Sequence, residues 1–399
     1  MTQSKSLKAE SILPLPDQDA LIQSEKLIKL IKASIHMKGG AIGFDEFMKL
    51  ALYEPGLGYY SAGSRKFGAD GDFVTAPELS PIFSQCLANQ CEQILNELDT
   101  GTILELGAGT GAMARDILLE LEKQNSLPDQ YMILEISADL KQRQQCNLRE
   151  TIPHLFDRVV WLDTLPKEEI TGVILANEVL DSLPVKRFKK TSSGFKEMKI
   201  GLDDDQFVWV DSHAEGDLLK NIEELENDLS TLFPDNYISE VNTQLGKWLN
   251  SLKGILNKGV MIFIDYGYSA GEYYHPERMD GSLLCHYRHR VHSDPFYNVG
   301  LQDITCSVNF TAVADCADSI GFHVNGYTNQ TYFLFGCGLE KLLANKNELD
   351  NKSQTQIAQQ IQILTLPEEM GERFKVMALT TEYDNVLKGF AIMDQRVRL

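Results

Sequence analysis

The run Thr102-Ile103-Leu104-Glu105-Leu106 passes directly into Gly107-Ala108-Gly109-Thr110-Gly111, and residues 112–123 then carry apolar side chains at helical spacing. A short apolar strand, a glycine-rich turn and an amphipathic helix in that order are the opening half of a βαβ unit. The rhythm persists. Residues 131–136 read as the next strand and 138–150 as the next helix. Short apolar runs at 159–162, 173–176 and 260–265 follow, the last after a helical pattern around 241–256. Strands alternating with helices predict an α/β fold with a doubly wound, largely parallel sheet and right-handed crossovers. Residues 322–327 and 332–335, four residues apart, are expected to end that sheet as an antiparallel hairpin.

Two insertions and an N-terminal extension interrupt the rhythm. Residues 20–52 show helical spacing broken at Gly39-Gly40, and 55–77 form a loop rich in glycine with Tyr59, Tyr60, Phe67 and Phe73. A loop of that length in a compact protein is usually functional or disordered, and four aromatics favour function. Residues 185–212 read as a β-meander with turns at Ser192-Ser193-Gly194 and Asp203-Asp204-Asp205. Residues 267–306 read as loop. The chain is therefore expected to divide into a cap (1–100), a first core half (101–184), a meander with an acidic helix (185–235) and a second core half (236–399).

Charge narrows the partners. There are 37 Lys and Arg against 57 Asp and Glu, a net charge of −20, which disfavours phosphate backbones and anionic membranes as general partners. Seven cysteines without paired spacing suit free thiols in a reducing compartment. With Glu10, Asp17, Asp19 and Glu25 near the start and no secretory apolar stretch, a cytoplasmic location is expected.

The glycine turn alone is ambiguous, since Gly107-x-Gly109-x-x-Ala112 also fits a dinucleotide fingerprint and hence a nicotinamide-dependent oxidoreductase. The strand ends discriminate. Glu135 ends the second strand, where a carboxylate can accept both hydroxyls of an adenosine ribose. Asp163 ends the third, within reach of an adenine amine. Asn177-Glu178-Val179-Leu180-Asp181 follows the fourth. Hydride transfer needs no acid there, whereas methyl transfer needs a polar group that aims a nucleophile. The catalytic candidates are thus Glu178, Asp181 and Asn177. Those for the cofactor are Glu105, Gly107, Ala108, Gly109, Gly111, Glu135, Ile136, Asp163 and Asn177. Tyr59, Tyr60, Phe73, Thr75 and Asp265 are candidates for the substrate side. Histidines at 286, 289 and 292 beside Cys285 have a spacing that could suit a metal on a helix, but the segment reads as loop and no metal site is expected.

Several blocks together carry a resemblance: Tyr53 to Tyr60 (YEPGLGYY), Gly71 to Glu78 (GDFVTAPE), the ELGAGTG turn, Leu134-Glu135-Ile136-Ser137, Asp265-Tyr266-Gly267, Gly300 to Thr305 (GLQDIT) and Met370 to Lys375 (MGERFK). With them the chain resembles the MidA family of class I S-adenosylmethionine-dependent methyltransferases, whose eukaryotic members are mitochondrial assembly factors for respiratory complex I and dimethylate an arginine. The resemblance implies a seven-stranded sheet and S-adenosyl-L-methionine cradled by Gly107, Gly109 and Gly111, with Glu135 on the ribose. It also implies an arginine-containing protein substrate. A cofactor-bound assembly protein with little catalysis stays open, as does a homodimer.

Overall fold

The computed structural model describes residues 13–61, 74–230, 232–344 and 350–399. Phe67 and Phe73, expected in the aromatic loop, lie outside them. The central sheet contains β1 (Thr102–Leu106), β2 (Gln130–Leu134), β3 (Val159–Leu162), β4 (Ile170–Asn177), β5 (Leu256–Tyr268), β6 (His323–Asn329) and β7 (Phe374–Thr381). Its order is β3-β2-β1-β4-β5-β7-β6, with the two-residue strand Val308–Asn309 attached to β5. The first five strands run parallel; β7 is antiparallel to both β5 and β6.

The helices that bear on the site are α1 (Gln18–Met37), α2 (Phe44–Tyr53), α3 (Pro81–Glu97), α4 (Ala112–Lys123), α5 (Ala138–Thr151), α6 (Leu245–Lys253) and α7 (Phe310–Ser319). Successive strand residues face opposite sides, so Ile103 and Val173 meet α3 and α4 while Leu104 and Ile174 meet α6 and α7. Covering both faces is what makes the central strands read as unbroken apolar runs.

The sheet closes differently from expectation. Residues 332–335 are not a strand: they lie in the helix Gln330–Gly336, started by Asn329, whose side chain accepts the Tyr332 N–H at 3.0 Å. The antiparallel partner of β6 is β7, some 50 residues further on in the chain. A four-residue apolar run carries too few turns of either period to separate strand from helix.

The region 267–306 is more ordered than a loop reading implies, because Leu284–Tyr287, Arg290–His292 and Asp303–Thr305 form a three-stranded sheet. The helical pattern near 241–256 is confined to α6, and Ile238–Val241 before it is a strand. That strand joins the meander strands Lys186–Thr191, Gly194–Asp203 and Gln206–His213, and the cap strand Ala41–Gly43 pairs with Gly194–Asp203. The cap and the insertion thus share one sheet. The meander turns fall as expected, with Asp204 and Asp205 both at positive φ. Arg187, on the first meander strand, is buried and paired with buried Glu240 at 2.9 Å.

Among the described residues no helix is long and apolar enough to cross a membrane, and all seven cysteines are unpaired.

Candidate active site

The carboxyl ends of β1, β2 and β4 open onto a cavity of about 360 Å³, the size of a small-molecule site and the place where parallel sheets bind ligands. Glu105, Gly107, Ala108 and Gly109 wall it on the β1 side, and Glu135 and Ile136 on the β2 side. Asn177 and Glu178 wall it at β4, and Tyr53, Tyr60, Thr75 and Glu78 enter from the cap.

The turn after β1 needs its glycines for backbone reasons. Gly107 and Gly109 sit at φ +68° and +54°, where a side chain is strained. A Cβ on Gly109 would meet no protein atom within 4 Å, so its absence leaves room at the cavity wall. Gly111, at φ +83°, starts α4 but packs beside Gln144 instead of lining the cavity.

Glu135 lies one residue past β2 and is buried. Its oxygens accept the Ser137 N–H at 2.8 Å and the Gln144 amide at 3.0 Å. Glu105 is also buried and accepts from the Tyr131 hydroxyl at 2.7 Å; burial pushes its acid up to about 7. Asp163 stands apart from the cavity lining. Its carboxylate is 82% exposed and pairs with Lys141 at 2.9 Å, because the chain turns away into solvent after Leu162.

At the β4 end Glu178 takes φ +54°, a left-handed conformation unusual for a glutamate. Its N–H is tied to the Ile264 carbonyl of β5 at 2.9 Å, and its carboxylate accepts from the Asn177 amide at 3.1 Å. Burial, with Asp181 nearby, pushes its acid up to about 8. Asp181 is buried behind it, raised by burial to about 6. Asp265 is buried deeper, accepting the N–H groups of Leu180 at 2.9 Å and Asp181 at 3.2 Å. It holds the turn and does not line the cavity. Asn177 Oδ1 and Asp181 Oδ1 are buried with no hydrogen-bond partner, and among the described residues no lysine or arginine pairs with Glu178, Asp181 or Asp265. This end of the cavity is built to receive donors and positive charge.

The aromatic residues divide. Tyr60 lines the cavity, stacks on Tyr53 at 5.5 Å and donates to Asp303 at 2.8 Å. Tyr59 is in the core, only 1% exposed. Thr75 lines the wall. Histidines 286 and 292 sit on the two strands of a hairpin whose turn holds His289. Among the described residues no three His, Cys, Asp or Glu are grouped to hold a metal. Sequence patterns pointed to neither Gln144, which braces the wall, nor Trp248, which lines it, since each arrives from a helix remote in sequence from the glycine turn.

A family model described as "Putative S-adenosyl-L-methionine-dependent methyltransferase" matches residues 86–328. A crystal structure from Burkholderia thailandensis bound to S-adenosyl-homocysteine superposes with a TM-score of 0.92 at 39% identity, over 97% of this chain and 100% of that one. Among curated proteins, the Drosophila melanogaster homolog of the protein arginine methyltransferase NDUFAF7, mitochondrial, is 27% identical, over 88% of this chain and 84% of that protein. The human protein arginine methyltransferase NDUFAF7, mitochondrial, is also 27% identical, over 85% and 80%. These matches decide against the nicotinamide alternative. They also correct the expected cytoplasmic location, because these relatives are named mitochondrial. Neither unpaired cysteines nor acidic residues near the start are ground enough to name a compartment.

Proposed function

The chain belongs to the MidA-like family of S-adenosyl-L-methionine-dependent methyltransferases, and from that premise we propose that it methylates arginine side chains of a protein substrate. The observation that carries the choice of acceptor is the acidic end of the cavity at Glu178, with Asp181 buried behind it and no lysine or arginine among the described residues paired with either. The names of the curated relatives point the same way.

The cavity suits the cofactor. The turn through Gly107 and Gly109 leads into the start of α4 with open space beside Gly109, a favourable place for a carboxylate. Glu135, fixed by Ser137 and Gln144, is the acceptor we assign to the ribose hydroxyls, and Leu134, Ile136 and Leu140 supply an apolar wall for the base. When bound, S-adenosylmethionine supplies a methyl group made electrophilic by its sulfonium.

The remaining work falls to the chain. A guanidinium is protonated at neutral pH and is a poor nucleophile in that form. We assign Glu178 to localise its charge, orient one nitrogen and receive the proton that leaves that nitrogen. Asn177 holds the Glu178 carboxylate, and Asp181 and Asp265 act from behind as a negative field and as a brace for the turn. Tyr53 and Tyr60 form an aromatic wall that suits a planar cation and keeps water from the reacting atoms.

The test is methyl transfer from labelled S-adenosylmethionine to arginine-containing peptides and to matched peptides with lysine in place of arginine. Labelling of the arginine series alone is expected, and equal labelling of both would overturn the acceptor assignment. Glu178→Gln should lose about 10²–10⁴-fold in turnover while still binding S-adenosylhomocysteine; full turnover would remove Glu178 from the mechanism.

A further inference from the structure

Glu78 enters the cavity from outside the sheet, on the four-residue helix Ala76–Leu79 of the cap. Thr110, inside the glycine turn, donates its hydroxyl to Glu78 Oε1. One carboxylate oxygen is thereby fixed against the turn that precedes α4. The other cavity carboxylates have different positions and commitments. Glu105 is buried against the Tyr131 hydroxyl, and its raised acid weakens it as an anion near neutral pH. Glu135 is held by Ser137 and Gln144 at the β2 end. Glu178 stands beside Asn177 at the β4 end.

The amino-acid portion of S-adenosylmethionine carries two opposite charges on one carbon. Its carboxylate suits the backbone N–H groups at the start of α4, so its ammonium must lie within a few ångströms of the same turn and needs an anion there. Resting on the methyltransferase reading, we propose that Glu78 takes the cofactor's α-ammonium, so that the N-terminal cap completes the cofactor site. The same short helix begins at Ala76, whose N–H faces the Glu178 carboxylate. A cofactor held by Glu78 therefore steadies the segment that borders the acceptor.

Calorimetric titration of the full-length chain with S-adenosylhomocysteine and with 5′-methylthioadenosine, which lacks the amino-acid portion, tests this. Glu78→Gln is expected to lower affinity for S-adenosylhomocysteine about 10–100-fold, the worth of a charged hydrogen bond, and to leave 5′-methylthioadenosine within about 2-fold. Binding of the second ligand also reports that the variant is folded. An unchanged affinity for S-adenosylhomocysteine, or an equal loss for both ligands, overturns the role of Glu78. Failure of the unmodified protein to bind either ligand would instead overturn the methyltransferase reading, and this assignment with it.

Discussion

Gln144 and Glu135 are joined at 3.0 Å, the amide of α5 donating to the carboxylate just beyond β2. The same Nε2 donates to the Gly109 carbonyl at 3.0 Å, and Oε1 accepts from the Trp161 indole N–H at 3.0 Å. One fully buried amide therefore ties the glycine turn, the proposed ribose carboxylate and β3 into a single frame.

Removing that amide takes one partner from the buried Glu135 carboxylate, which keeps the Ser137 N–H, and one each from the half-buried Gly109 carbonyl and Trp161 indole. A buried group that loses a partner costs about 1–3 kcal/mol, and half-buried ones less. Gln144→Leu is expected to destabilise the chain by about 2–3 kcal/mol and to weaken S-adenosylhomocysteine binding about 10-fold or more. Urea titration reads the first and calorimetry the second. Wild-type values for both would show that the frame has no energetic role.

Gly109→Ala separates backbone strain from obstruction. The left-handed conformation costs an alanine about 1–2 kcal/mol, and no protein atom opposes the added methyl. The fold should survive with a modest fall in melting temperature, while S-adenosylhomocysteine no longer raises that temperature. A ligand-induced rise equal to wild type would place the cofactor elsewhere.

The acid at Glu178 sets a pH dependence. Its folded value near 8 stands above the ordinary 4.5, so between those values the folded chain holds a proton that the unfolded chain releases. Stability from this group is complete below about pH 4.5 and is lost as pH rises through about 8. Asp181 at about 6 and Glu105 at about 7 act in the same direction. The melting temperature of the ligand-free protein relative to Glu178→Gln is expected to fall steadily from pH 5 to pH 8.5. A constant difference over that range would mean that Glu178 ionises as it does in water.

Methyl transfer has the opposite slope. In the role proposed for it Glu178 must be ionised to hold a guanidinium, so turnover should climb with pH up to about 8 and then level. Initial rates at saturating cofactor measure it, and a profile flat between pH 6 and 8 would exclude an ionisation of Glu178 from the rate.

Asp163→Ala should be nearly silent. An exposed ion pair is worth about 1 kcal/mol at most, and the residue lies off the cavity wall. Affinity for S-adenosylhomocysteine within about 2-fold of wild type is expected; a 10-fold loss (about 1.4 kcal/mol) would return Asp163 to the adenine subsite.

Legibility in the sequence followed the distance over which each feature is specified. The strand, glycine turn and helix at 102–123 are encoded by neighbours in the chain, and Glu135 and Glu178 could be placed by counting to strand ends. Asp163 was counted in the same way, yet its side chain pairs with Lys141, a contact between a strand end and the helix preceding it. The hairpin assigned to 332–335 failed because a short apolar run fits either period, and the pairing of β6 with β7 is a contact between segments far apart in the chain.

The sequence by itself determined the alternation of strands and helices, the left-handed turn that only glycines enter easily, and the excess of acid over base. These are local properties of backbone and side chain, fixed before any two distant segments meet. Tertiary structure alone decided that Gln144 and Trp161 brace the cavity wall, that Tyr53 and Glu78 reach it from the cap, and that burial pushes the Glu178 acid up. Those depend on which surfaces exclude water once the sheet is covered, and burial is a property of the assembled chain.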